Sequence, residues 1–244
     1  MMGSKVSAIP IESSKRVESA KNTVFPYREL LGSLTYISNK TRPDISFAVN
    51  YCSRKVENPT DQDVHNLKQI LKYLKGTKKK GLTYPKGKRD IEITAYCDSD
   101  YAGDTETRRS TTGYIIFLSN CPISWCTRRQ PIVALSSTEA EYIAAAECCK
   151  ELLYLKSVIQ ELLNSNSVKV TMFVDNQSAI RIIENGVINR RSKHIDVRYK
   201  FIHEKVKNGD VIIKYCSSNE QTADIFTKIL AKVKFIYHTN KIVM

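Results

Sequence analysis

The chain has 244 residues, 42% hydrophobic and 26% charged, which fits one large or two small globular domains and excludes a disordered composition. No run of about 18 uncharged apolar residues occurs, which excludes a membrane-spanning helix, and the N-terminus lacks the apolar core of a secretion signal. The net charge of +13 is uneven: residues 1–90 hold 18 Lys/Arg against 8 Asp/Glu (net +10) and residues 91–244 hold 20 against 17 (net +3), so a polyanion is expected on the N-terminal part.

Residues 1–25 are polar and lysine-rich with little periodicity and read as a flexible lead-in. A helical block is expected over 26–85. Leu30, Leu31, Leu34 and Ile37 recur at helical spacing, and Thr41-Arg42-Pro43-Asp44 restarts the chain with proline near a helix start. Ile45, Ala48, Val49 and Cys52 stripe the helix that follows. Pro59-Thr60 opens a third, with Val64, Leu67, Ile70, Leu71 and Leu74 inward and Gly76 at its end. Lys78, Lys79 and Lys80 lie just past that end, where cations suit the helix dipole and could contact phosphate.

Lys86 to Asp90 are polar and basic and mark a domain boundary, with an α/β domain expected over 90–230 and a divergent tail over 231–244. Ile91, Ile93, Ala95 and Cys97 alternate as a strand; Tyr114–Leu118, Ile123–Cys126 and Ile132–Leu135 are expected as further strands of a meander. Thr138 to about Leu163 reads as one long helix. Val168–Val174 is an apolar strand of the buried, parallel type. Ser178–Glu184 and Asp196–Lys207 read as helices, Val211–Tyr215 as a last strand, and a helix begins near Asp224. This order predicts a mixed sheet flanked by helices. Seven cysteines without a CxxC pair read as buried free thiols of a reducing compartment, and the four histidines do not sit at zinc-ligand spacing from any cysteine pair.

Four acidic residues sit in short motifs at expected strand ends or helix starts. Asp98 terminates the first strand, with an Asx turn before Gly103 as its bland role and Asp100 as a competitor. Glu141 lies three residues after Thr138, spelling a capping box, and Glu139 is the alternative carboxylate of that turn. Asp175 follows a buried strand, where Asp175-Asn176 also suits a helix cap. Asp224 opens the last helical segment, where Thr222 could cap instead. Clustered carboxylates in a basic protein point to divalent cations and phosphodiester chemistry. Arg190-Arg191-Ser192-Lys193-His194 reads either as a phosphate-contacting loop with a proton-shuttling imidazole or as a solvated charge run.

Several phrases together resemble the ribonuclease H region that ends copia-type retrotransposon Pol polyproteins. They are Arg109-Ser110-Thr111-Thr112-Gly113-Tyr114, Ser124-Trp125, Arg129-Gln130-Pro131, Ser136-Ser137-Thr138-Glu139-Ala140-Glu141-Tyr142, Asp175-Asn176-Gln177-Ser178-Ala179, Ser192-Lys193-His194-Ile195-Asp196 and Ala223-Asp224-Ile225-Phe226-Thr227-Lys228. Tyr27-Arg28-Glu29-Leu30-Leu31-Gly32-Ser33-Leu34, Thr41-Arg42-Pro43-Asp44-Ile45 and Leu71-Lys72-Tyr73-Leu74-Lys75-Gly76-Thr77 resemble the thumb or connection segment that follows the polymerase palm.

The resemblance covers about 26–230. It implies an RNase H-like mixed five-stranded sheet with helices on both sides, preceded by a small helical segment. It also implies endonucleolytic hydrolysis of the RNA strand of an RNA–DNA hybrid. Carried over motif by motif, it selects Asp98, Glu141, Asp175 and Asp224 as catalytic and metal-binding, leaving out Asp100 and Glu139. The implied cofactor is a pair of Mg2+ ions about 4 Å apart, with Mn2+ as a substitute. Lys78, Lys79, Lys80, Arg190, Arg191, Lys193 and His194 are the implied contacts to nucleic acid. Many ribonucleases H carry a histidine just before the fourth carboxylate; Ser217-Ser218-Asn219-Glu220-Gln221 has none, so no catalytic histidine is assigned. No Tyr-x-Asp-Asp motif occurs, so DNA synthesis is not expected, and the polymerase portion of a longer Pol is an expected partner. The expected setting is a cytoplasmic retroelement particle or the nucleus. The competing reading is a truncated, inactive remnant that only binds nucleic acid.

Overall fold

The structure is a computed structural model that describes residues 5–12, 25–86, 91–164, 168–186 and 196–243. Its elements in chain order begin with helices α1 (Tyr27–Lys40), α2 (Ser46–Ser53) and α3 (Asp61–Gly76). Strands β1 (Glu92–Asp100), β2 (Thr111–Leu118) and β3 (Cys121–Arg129) follow, then α4 (Ser137–Leu163), β4 (Lys169–Val174), α5 (Gln177–Asn185), α6 (Asp196–Lys207), β5 (Ile212–Tyr215) and α7 (Lys232–Asn240). Two compact units result, one of residues 1–84 with 228–244 and one of 85–227.

In the first unit each helix buries the centre of the stripe read from the sequence, Leu31 and Leu34 on α1, Ala48, Val49 and Cys52 on α2, Leu67 and Ile70 on α3, while Leu30, Ile37, Val64, Leu71 and Leu74 are half-buried. Each buried leucine, isoleucine or valine among them contributes about 1.5–3 kcal/mol. At the start of α3 the Thr60 hydroxyl accepts from the Asp63 N–H at 3.3 Å and an Asp63 oxygen accepts from the Thr60 N–H at 2.9 Å, a reciprocal cap. Pro43 opens a 3-10 turn over Pro43–Ile45, and beneath it Arg42 makes a two-pronged contact to Asp44 at 2.9 and 2.7 Å. Part of the expected lead-in is fixed to this unit: Ile9 and Ile11 are buried, and the Ser7 N–H donates to the Lys72 carbonyl. Their packing follows neither helical nor strand periodicity, which is why the sequence pattern did not mark it. Helix α7 belongs to this unit too, with Phe235 edge-on to Tyr73 at 5.8 Å.

The second unit is the expected mixed sheet, five strands in the order β3-β2-β1-β4-β5. Strands β1, β2 and β3 pair antiparallel, while β4 and β5 run parallel to β1. Helix α4 packs across β1, β2 and β4, with Tyr142, Ala145, Cys148, Cys149 and Leu152 buried against Ile93, Ala95, Cys97, Val170 and Met172. Cysteine serves here as a small apolar residue, and all seven thiols are free.

Three expected elements differ. Ile132–Leu135 is not a strand: β3 runs on to Arg129, and the following loop packs Ile132 and Ala134 against Ala140 and Ile143 of α4. Its apolar run serves that helix rather than a ladder. Helix α4 begins one residue earlier than expected, at Ser137. The segment at Asp224 is a short 3-10 helix, Thr222–Phe226, whose cap is Gln221 rather than Thr222: the Gln221 side-chain oxygen accepts from the Ala223 N–H.

Candidate metal centre

Asp98, Glu141 and Asp175 meet at one end of the sheet, where β1 and β4 leave their ladder and α4 begins. Each offers a carboxylate oxygen, and the three oxygens lie within 4.8 Å of one another. Asp98 is 2% and Glu141 6% exposed, while Asp175 is half-buried and gives the group its opening to solvent.

The competing roles fall to neighbouring residues. Ser136 caps α4 by accepting from the Glu139 N–H at 3.1 Å, and Glu139 accepts from the Leu135 N–H at 2.8 Å. The capping box expected from Thr138 and Glu141 is not formed: Ser136 alone caps the helix, two residues earlier, and Glu139 turns its carboxylate to the Leu135 N–H. Glu141 instead reaches across to β1, where one of its oxygens accepts from the Ser99 N–H at 3.2 Å. Asn176 caps α5 through the Ala179 N–H, which frees Asp175 for the group. Asp104 makes the turn expected of Asp98, accepting from the Glu106 and Thr107 N–H groups and pairing with Arg129 at 2.9 Å. The Asp100 carboxylate folds onto Gly103, filling the space a side chain there would need.

Burial pushes the Glu141 carboxyl well above the usual range, and the charges of Asp98 and Asp175 push it further; the Ser99 N–H opposes both. Its second oxygen is buried without a hydrogen-bond partner. A buried carboxylate oxygen without a donor, beside two further carboxylates, is the arrangement a hard divalent cation satisfies. The donor set is all oxygen, which suits Mg2+ or Mn2+ better than a soft metal.

Asp224 lies outside this group of three. It is fully buried on the 3-10 segment that packs against β1 and β2. Lys78 and Lys79 are exposed, and Lys80 donates to the Asn240 side chain at 2.7 Å within the helical unit. Arg190, Arg191, Lys193 and His194 lie outside the described residues.

Residues without an assigned role also hold the centre. The Gln130 amide donates to Thr112 Oγ1 and to the Ala140 carbonyl at 3.0 Å and lies 3.3 Å from Ser99 Oγ, joining β1, β2 and α4. Ser218 donates to Asp175 at 2.8 Å. Thr227 donates to Asp98 at 2.5 Å. Their partners lie 10 to 129 residues away in sequence, beyond the reach of any local pattern.

The chain is 43% identical over 210 residues to the retrovirus-related Pol polyprotein from transposon TNT 1-94 of Nicotiana tabacum, covering 86% of this chain and 16% of that one. It is 38% identical over 246 residues to the Pol polyprotein from transposon RE2 of Arabidopsis thaliana, covering 99% of this chain and 17% of that one. The chain belongs to the copia-type Pol polyproteins. This copia-type chain spans about a sixth of the length of the curated relatives it matches. No family model matches it. Among solved structures, LC11-RNase H1, isolated from compost, is similar at 16% identity and a TM-score of 0.42, covering 56% of the copia-type chain and 93% of its own.

Proposed function

We propose that the sheet unit of this Pol chain is a divalent-metal-dependent ribonuclease H that hydrolyses the RNA strand of an RNA–DNA hybrid. The observation that carries the proposal is the convergence of Asp98, Glu141 and Asp175 oxygens within 4.8 Å in a chain of Pol ancestry. In this reading the three carboxylates hold and orient the cofactor, two Mg2+ or Mn2+ ions, with Asp224 as the fourth carboxylate of the set. Bound divalent ions supply an activated water and a counter-charge for the leaving 3′ oxygen. The protein's own part is electrostatic and positional. Glu141 is kept in place by the Ser99 N–H, Asp175 by Ser218 and Asp98 by Thr227, so ligands are oriented before substrate arrives. Strand choice then rests on contacts to the 2′-hydroxyls, which RNA has and DNA lacks. Lys78, Lys79, Lys80, Arg190, Arg191, Lys193 and His194 are proposed to bind the hybrid backbone without sequence preference. The polymerase portion of a longer Pol is the proposed protein partner, in a retroelement particle.

Cleavage of an RNA-labelled hybrid in Mg2+ tests this. The wild-type chain is expected to cut the RNA strand, and Asp175→Asn to cut it on the order of 10²- to 10³-fold more slowly with an unchanged fold. Equal rates for the two proteins would remove Asp175 from the centre. A folded wild type that retains the hybrid without cutting it would replace the nuclease by the binding-only reading.

A further inference from the structure

Two motif glycine and threonine positions, far apart in the chain, meet at Asp98. In the β1–β2 ladder Asp98 lies directly opposite Gly113, so their α-carbons project to the same face of the sheet. On that face lies the 3-10 segment Thr222–Phe226 with Thr227 just after it. A β-carbon placed on Gly113 would stand 2.6 Å from Thr227 Cγ2 and 2.7 Å from Phe226 Cβ, and 3.1 Å from the Phe226 backbone carbon. Glycine at 113 thus leaves the space into which Phe226 and Thr227 settle. From there the Thr227 hydroxyl donates to Asp98 at 2.5 Å. Thr227 has no exposed surface, and a second anchor holds the segment's start, where the buried Gln221 amide donates to the Cys97 carbonyl at 2.9 Å. The segment is clamped to β1 at two successive residues, Cys97 by the backbone and Asp98 by the side chain.

We propose that Thr227 is a positioning residue for Asp98: its hydroxyl, admitted by Gly113, fixes the carboxylate in the orientation that holds the cation. The inference rests on the metal-centre reading above. A donor behind a ligating carboxylate fixes its orientation, and loss of such a partner typically costs about 10- to 100-fold in metal affinity or activity. Thr227→Val keeps the buried volume and removes the donor, Thr227→Ser keeps the donor, and Gly113→Ala displaces the segment that presents it.

The test is Mn2+ titration of the full chain, following free Mn2+ by its paramagnetic resonance signal, with thermal melts and circular dichroism to establish matched folds. Thr227→Val is expected to weaken Mn2+ binding about tenfold or more, with a lower kcat and an unchanged KM for the hybrid. Thr227→Ser is expected to bind as the wild type does, and a folded Gly113→Ala to follow Thr227→Val. Wild-type Mn2+ affinity in Thr227→Val, or equal losses in the Val and Ser variants, overturns the positioning role while leaving the metal centre intact. A wild type that takes up no Mn2+ overturns both.

Discussion

Glu141→Gln is expected to make the metal-free protein more stable at neutral pH and, in the same substitution, to abolish its response to divalent metal and its cleavage of hybrid. The reason lies in the environment of that carboxyl. Burial and the neighbouring charges of Asp98 and Asp175 raise its proton affinity well above the usual glutamate range. For a group whose folded value is raised, the favourable contribution is complete below the unfolded value and is lost as pH rises through the folded one. The metal-free wild type therefore loses stability as pH climbs from about 5 upward. Glutamine carries no charge, keeps an oxygen for the Ser99 N–H and removes the repulsion, a gain of about 1–2 kcal/mol of the kind seen when an active-site charge is neutralised. It also removes the anionic ligand, so added Mg2+ no longer raises the melting temperature and hybrid cleavage falls by roughly 10³-fold. Melting curves between about pH 5 and 8, with and without Mg2+, decide the matter. A variant less stable than wild type in chelator, or one that keeps its metal response, refutes this account of the site.

The same residue shows where sequence reading succeeds and where it stops. Asp98 and Asp175 are legible because each follows an apolar strand pattern in an α/β order, where functional side chains gather, although β1 runs on to Asp100 and Asp98 is still paired opposite Gly113. Glu141 stands out by its motif, but the cap its local sequence suggests falls to Ser136. Ser136 and Thr138 each stand three residues before a glutamate, so the sequence offers two capping boxes in two frames. The bond from the Ser99 N–H to Glu141, spanning 42 residues, separates them, and no window of local sequence contains it. The helical stripes of α1, α2 and α3 and the parallel strand β4 were readable because burial there follows one periodicity. Ile132–Leu135 is a short apolar run like a strand yet packs on α4, since an apolar run records that side chains are buried and not what covers them. At Asp224 a capping pattern was visible, but a 3-10 segment held by Gln221 and Thr227 depends on the glycine at 113, more than a hundred residues earlier.

In the helical unit, Asp44→Ala is expected to destabilise the fold by about 3–5 kcal/mol, enough to unfold a marginal helical unit. Asp44 and Arg42 are 2% and 6% exposed, and the guanidinium meets both carboxylate oxygens. Tyr73 donates its hydroxyl to the same carboxylate at 2.5 Å and lies beneath the guanidinium, 5.5 Å from ring centroid to the Arg42 carbon. Arg42 also donates to the Thr77 hydroxyl at 2.7 Å and the Thr77 carbonyl at 3.3 Å, tying the Thr41-Arg42-Pro43-Asp44 turn to the end of α3. Truncating Asp44 leaves a buried cation without its counter-charge and a buried phenol without its acceptor, and both penalties act at once. Removing both charges in the double variant Arg42→Met, Asp44→Leu is expected to recover most of the loss, because two apolar side chains have no desolvation to offset. Urea unfolding of the wild type, the single variants Arg42→Met and Asp44→Leu, and the double variant, followed by helical circular dichroism, gives the coupling directly. Additive losses in the double variant would mean that the pair is not one unit. Recovery would show that this turn is held by mutual compensation of buried charge, with the aspartate present because the arginine is buried beside it.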